Sequence, residues 1–233
     1  MHKKPDFYFE NIYWENDTEM VIGVDEVGRG SLAGPVVAGA AAIRKQVLKS
    51  SHRRYDFGGQ AGIQERNIAL KNILKLGIDD SKRMKPRERI MIKTFIEQYF
   101  HIALGEATVA EIDKFGIVKA TQIAMRKAVV NLLYKAQNVN FFLLVDGCRV
   151  KYLPGGLKKQ RSIIKGDQKS ISIAAASIIA KVYRDNLMIS LGRKYPSYKW
   201  ELNKGYGTLS HRNVLKTLGI CEHHRLLFVD SLI

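Results

Sequence analysis

The run Val21-Ile22-Gly23-Val24 ends in two adjacent carboxylates, Asp25 and Glu26, and a Gly28-Arg29-Gly30 turn follows almost at once. This junction limits what the chain can fold into more than any other stretch. A short apolar run closed by a glycine turn reads as a buried strand. Carboxylates go inside only where something offsets their desolvation, so an acidic pair there asks for a cation. Adjacent strand residues face opposite sides of a sheet. Asp25 and Glu26 therefore share one site only if the strand ends or bulges, and Gly28 favours such a break. The exposed backbone and the Arg29 guanidinium beside the acids suit a phosphate-bearing substrate. Together these features describe a metal-dependent enzyme acting on a polyanion.

Further strands follow from the same pattern. Residues 34–43 read as a strand turned back from the first, 101–110 as a third, 141–145 as a buried apolar strand ending at Asp146-Gly147, and 161–165 as a last one. Helices are expected from Lys85, with Ile90, Phe95 and Ile96 on its apolar face, over 117–136, and over 170–194 until Pro196 stops it. Residues 1–19 read as an irregular lead-in and the basic stretch 44–67 as a long exposed excursion. The order describes an α/β protein, a mixed central β-sheet flanked by helices. Residues 20–195 form its catalytic domain, and 196–233 a small C-terminal helical element that contacts substrate.

Charge narrows the class. Lys and Arg number 38 against 22 Asp and Glu, a net +16 over 233 residues, and such a positive field favours nucleic acid or an anionic membrane. No apolar run reaches the roughly 18 residues of a membrane span, and the N-terminus lacks the apolar core of a signal peptide. Cys148 and Cys221 stand far apart without metal-site spacing, which fits a reducing cytosol. The expectation is a cytoplasmic protein without a membrane partner.

Asp25 and Asp146 each close an apolar strand, and the carboxyl edge of an α/β sheet is where ligands gather. Side by side they could share one divalent ion; Mg²⁺ takes hard oxygen donors and often one or two carboxylates plus a substrate phosphate. A further acid is needed for two ions, and Asp167 and Asp185 are the candidates. Asp167 lies just before the long helix, near its positive end. Asp185 lies roughly 20 Å further along that helix and reads as a salt-bridge partner of a nearby Lys or Arg.

Other motifs fail their context. Gly28-x-Gly30-x-x-x-Gly34 lacks the helix that a dinucleotide loop must open, and neither a GK[ST] phosphate loop nor a GxSxG hydrolase turn occurs. Cys221-Glu222-His223-His224 reads as a surface turn rather than a zinc site. The cationic loop from Asp80 to Lys85 and the KGYGT stretch at 204–208, with Tyr206 between two glycines, suit a polyanion and a stacked nucleotide.

These residues carry a resemblance. The chain resembles the bacterial type 2 ribonucleases H, the ribonuclease HII family, through GVDEVGRG at 23–30, LAGPVV at 32–37, DDSK at 79–82, EID at 111–113 and LVDG at 144–147. IIKGD at 163–167, SIAAASIIAKVYRD at 172–185, KGYGT at 204–208 and HR at 224–225 continue the family order. Ser31 stands where proline is usual, and Asn203 where histidine is frequent. The resemblance implies an RNase H-like fold and a four-carboxylate site at Asp25, Glu26, Asp146 and Asp167, holding two Mg²⁺ or Mn²⁺ ions. It implies that Gly28, Arg29 and Gly30 contact the 2′-hydroxyl and phosphate of a ribonucleotide, that Tyr206 stacks on its sugar, and that Ser81 and Lys82 meet a phosphate. The expected enzyme is a monomeric endoribonuclease that hydrolyses RNA in RNA–DNA hybrids and cuts 5′ of single ribonucleotides in duplex DNA. A non-catalytic binding module and a junction resolvase are the rival classes.

Overall fold

In a computed structural model, describing residues 4–16, 18–49, 61–137 and 139–230, the run that ends at the acidic pair is the central strand of the sheet. The strands are β1 (Met20–Val27), β2 (Val36–Ile43), β3 (Phe100–Ala107), β4 (Phe141–Asp146) and β5 (Gln160–Ile163), in the order β3-β2-β1-β4-β5. β1 pairs antiparallel with β2 and parallel with β4; β2–β3 is antiparallel and β4–β5 parallel. The mixed sheet expected from the sequence is thus present.

Chain order explains which face each residue meets. The helices are α1 (Tyr8–Trp14), α2 (Lys45–Lys49), α3 (Ala61–Lys75), α4 (Pro86–Tyr99), α5 (Val109–Ala136), α6 (Ile171–Lys194), α7 (Trp200–Asn203), α8 (Leu209–Leu218) and α9 (Leu226–Val229). Ile22 and Val24 of β1 pack with Ala120, Ala124 and Ala128 of α5 in one core. The alternate residue Val21 packs with Leu144 and with Ile173 of α6 on the other face. α6 approaches so closely that a Cβ at Gly23 would lie 2.1 Å from the backbone of Ser172, and one at Gly39 2.2 Å from the Ala176 carbonyl. The AAAS run of α6 and these two glycines are one packing solution, and it presses the helix directly under the end of β1.

Several expectations change. The lead-in is not irregular: α1 buries Glu10, whose Oε1 accepts from the Ser170 hydroxyl at 2.6 Å and the Ser172 N–H at 2.9 Å. It thereby serves the first turn of α6, where a carboxylate complements the helix dipole. The stretch 44–67 is bracketed by helices α2 and α3, while 50–60 lie outside the described residues. α4 does not present Ile90 and Phe95 inward; it buries Arg89, Ile92 and Ile96, because the Arg89 guanidinium is drawn in to the carbonyls of Ser81 and Met84. α5 starts earlier than 117, on a Thr108–Glu111 capping box, and breaks at Gly116 (φ 75°) before the expected helix resumes. The C-terminal segment folds onto Leu32, Ala33 and Met188 through Tyr198, Trp200, Leu215 and Val229.

Candidate active site

Register brings the acids together. Val24 pairs with Val145 across the parallel β1–β4 ladder, so the next residues, Asp25 and Asp146, emerge side by side and from the same face. That face is the α6 side. Asp146 Oδ1 accepts the Gly166 N–H at 2.6 Å, which ties the 3₁₀ turn Gly166–Gln168, and with it the buried Asp167, to the end of β4. Asp185 is elsewhere, bonded to Lys181 at 2.7 Å and facing Arg89 at 3.6 Å, the salt-bridge role expected of it.

Glu26 is the exception. The β1–β2 register runs unbroken through Glu26↔Ala38 and Val27↔Val37, so the break expected at this point is absent, and Glu26 leaves β1 on the face opposite Asp25. Its carboxylate is held by Arg29 Nη1 at 3.3 Å. Among the described residues no three His, Cys, Asp or Glu side chains form a group that could hold an ion as they stand, although Glu26 still feels the charge of Asp146.

The electrostatics favour a cation. Burial, then the charges of Glu26 and Asp146, raise the Asp25 carboxyl well above its ordinary value. Burial raises Glu26 against the pull of Arg29, and raises Asp167 against that of Lys82. Asp25 Oδ1 accepts the Glu26 N–H at 2.8 Å, but Oδ2 is buried without a hydrogen-bond partner. An unpartnered carboxylate oxygen in a group of mutually repelling acids is the donor chemistry of a hard divalent ion. One ammonium already answers this field: Lys82 Nζ lies 3.4 Å from Asp167 Oδ2. Burial alone would lower its pKa, yet Asp167, Asp25 and Asp80 hold it above the ordinary value. Ser81 turns inward instead, its hydroxyl 2.9 Å from that of Ser177, which borders Asp25.

Beside the acids, Gly28 is buried at φ 89° and a Cβ there would lie 2.1 Å from Arg184 Nε, while Arg29 and Gly30 are exposed. Ser31 forms an antiparallel bridge with Tyr206, and the Leu32 N–H donates to the Gly205 carbonyl at 2.8 Å, so the glycine turn and the KGYGT loop are one surface. Two fully buried arginines hold it from below. Arg184 donates to the carbonyls of Pro35, Lys204 and Ala33 at 2.9–3.0 Å, and Arg225 to those of Gly34 and Arg29 at 2.9 Å. The Arg184 guanidinium also lies 5.6 Å from the Tyr206 ring centroid. Sequence reasoning missed Arg184, whose only signal is a cation on the apolar stripe of α6, a position that burial permits only to a paired or hydrogen-bonded charge.

The fold is that of the type 2 ribonucleases H. Ribonuclease HII of Archaeoglobus fulgidus, solved with PCNA, superposes with a TM-score of 0.64 at 21% identity, covering 91% of this chain and 96% of that one. The ribonuclease H2 of Pyrococcus horikoshii OT3 gives 0.63 at 22% identity with the same coverage. Residues 61–231 match the family model described as Ribonuclease HII. The ribonuclease HII of Wolbachia sp. subsp. Brugia malayi is 38% identical over 229 residues, 98% of this chain and 95% of that protein. That of Staphylococcus aureus strain MRSA252 is 41% identical over 224 residues, 95% and 74% of the two chains. The chain belongs to the ribonuclease HII family. It is a ribonuclease H, an endoribonuclease acting on RNA–DNA hybrids.

Proposed function

We propose that the chain also cuts duplex DNA at single embedded ribonucleotides, on their 5′ side, leaving 3′-hydroxyl and 5′-phosphate ends. One observation carries this reading: the acid-lined end of β1 runs directly into the Gly28–Gly30 turn, and that turn is bridged to Tyr206 through Ser31. A cleavage site and a sugar-reading surface are thereby joined within one short segment.

Asp25, Glu26, Asp146 and Asp167 are the residues that would hold two Mg²⁺ or Mn²⁺ ions, and the unpartnered Asp25 Oδ2 fits that role. Bound there, such ions supply an activated water and stabilise the leaving 3′-oxygen. The chain's own groups do the rest. The exposed backbone of Arg29 and Gly30 approaches the 2′-hydroxyl, the group that separates RNA from DNA, while the Arg29 guanidinium leaves Glu26 for a phosphate oxygen. Lys82, held by Asp167 through a side chain that is 73% exposed, turns to a phosphate. Ser81 supports that loop through Ser177. The Tyr206 ring stacks on the sugar at the RNA–DNA junction. Nucleic acid as substrate supports work in the cytoplasm. Among the described residues no helix is long and apolar enough to cross a membrane.

A substrate comparison tests the reading. With Mg²⁺ or Mn²⁺, a duplex carrying one ribonucleotide is cut 5′ to it and a long hybrid is cut within its RNA, while all-DNA duplex and four-way junction stay intact. Cleavage of the junction, or none at the single ribonucleotide, overturns it.

A further inference from the structure

Beneath the KGYGT loop lies a polar network that the cleavage chemistry does not use. His211 and His224 are buried at 0% and 2% exposure, and their Nε2 atoms are 3.2 Å apart. Trp200 Nε1 lies 3.2 Å from His211 Nε2, and His211 Nδ1 lies 3.0 Å from the Tyr206 carbonyl. The Cys221 N–H donates to His224 Nδ1 at 3.0 Å.

The partners decide where each proton sits. The indole nitrogen of Trp200 only donates, so His211 Nε2 accepts. The Tyr206 carbonyl only accepts, so His211 Nδ1 carries the hydrogen and donates to it. The Cys221 amide only donates, so His224 Nδ1 accepts and its Nε2–H points to His211 Nε2. One tautomer of each ring therefore gives every contact a donor and an acceptor, His211 Nε2 sharing its single lone pair between the Trp200 and His224 hydrogens, and a second proton on either ring would face a donor. Burial lowers the pKa of His211, and burial together with His211 lowers that of His224 to about 4, which favours the neutral form of both rings.

The chain of donors ends on one atom. The Tyr206 carbonyl receives the His211 Nδ1–H and the Thr208 N–H, the latter at 2.8 Å, and the Thr208 hydroxyl in turn accepts the His211 backbone N–H at 3.3 Å. His211 thus holds the Tyr206 carbonyl through its ring and the Thr208 side chain through its backbone. Across the loop, Ser31 pairs with Tyr206 and completes the clamp.

We propose that His211, oriented by Trp200 and His224, is a positioning residue for substrate recognition: its Nδ1–H fixes the Tyr206 carbonyl and thereby sets the ring against the ribonucleotide sugar. The inference rests on the stacking role given to Tyr206 above. It assigns no chemistry to either histidine.

Two substitutions separate positioning from packing. His211→Gln reaches the Nε2 position, where its amide oxygen still accepts from Trp200 and His224, but it places no donor at Nδ1. His211→Asn places its amide nitrogen near Nδ1 and abandons Trp200 and His224. Steady-state kinetics on a one-ribonucleotide duplex, with thermal melts alongside, read the difference. H211Q melts near the parent and raises KM by about tenfold, the scale of one lost stacking contact, with kcat unchanged. H211N melts lower and keeps the parent KM. Tyr206→Ala raises KM to the same degree, and adding H211Q to it raises KM no further.

Parent KM in H211Q while Tyr206→Ala is impaired overturns the inference alone, as does a double variant in which the two effects multiply. Parent KM in Tyr206→Ala overturns the stacking role itself. If H211Q does not fold, H211N carries the test, and a raised KM in that variant contradicts the proposal.

Discussion

The two halves of the site solve opposite problems. At the sheet edge, like charges are forced together: Asp25, Glu26 and Asp167 all have raised carboxyl pKa values, and Asp25 Oδ2 has no partner. Under the recognition loops, the buried polar groups of Arg184, His211 and His224 find backbone or ring partners in series. The contrast shows where stability has been given up. The first half holds a repulsion for a cation to relieve, whereas in the second most buried polar groups are already paired, Ser31 Oγ and Arg225 Nη2 excepted. Active sites are where proteins tolerate such strain.

Substitutions break the contrast in different ways. The largest expected effect is at the edge: Asp25→Asn lowers cleavage of a hybrid by roughly a thousandfold or more, while a gel-shift or anisotropy assay finds hybrid binding retained. Arg184→Ala strikes the second half. It strands three carbonyls that now receive the guanidinium, and denaturant unfolding should show a loss of about 3–5 kcal/mol. Tyr206→Ala is milder, about a tenfold rise in KM on a one-ribonucleotide duplex, with the melt unchanged.

Acid gives the most graded effect. His224, whose ring faces His211, His223, Cys221, Tyr198 and Trp200, titrates at about 4 folded against 6.5 unfolded. Between those values the unfolded chain takes up a proton that the folded chain refuses. This contribution to stability is complete above pH 6.5 and is lost as pH falls towards 4. The raised carboxyls at the sheet edge work in the opposite sense, gaining stability on acidification. His224→Gln should therefore flatten the acid side of the melting profile, read by calorimetry from pH 7 to 4.

The two halves also differ in how legible they were. The strands and the acids that close them stand out because apolar runs buried on both faces are continuous in sequence, and because carboxylates at their ends contradict burial. Asp167 was separable from Asp185 by its place before α6. Glu26 was harder, since the unbroken pairing of β1 with β2 through Val27↔Val37 is a property of the partner strand. The sequence pattern misplaces the phase of α4 because a buried Arg89, anchored on the carbonyls of Ser81 and Met84, behaves as part of the inward face. The same blindness hid Arg184 and Glu10. His224 reads in sequence as part of a surface turn, yet it packs against Tyr198 and Trp200. A buried polar residue is defined by its distant partners, and nothing local announces them.

The claim that the sheet edge is strained for a cation is tested most directly by thermal unfolding of the parent and Asp25→Asn at pH 7, with and without Mn²⁺. The account predicts that Asp25→Asn melts higher than the parent without metal, because a buried repelling charge is gone, and that Mn²⁺ raises the parent's midpoint but not the variant's. A variant that melts lower without metal, and still gains the parent's full shift from Mn²⁺, would contradict it.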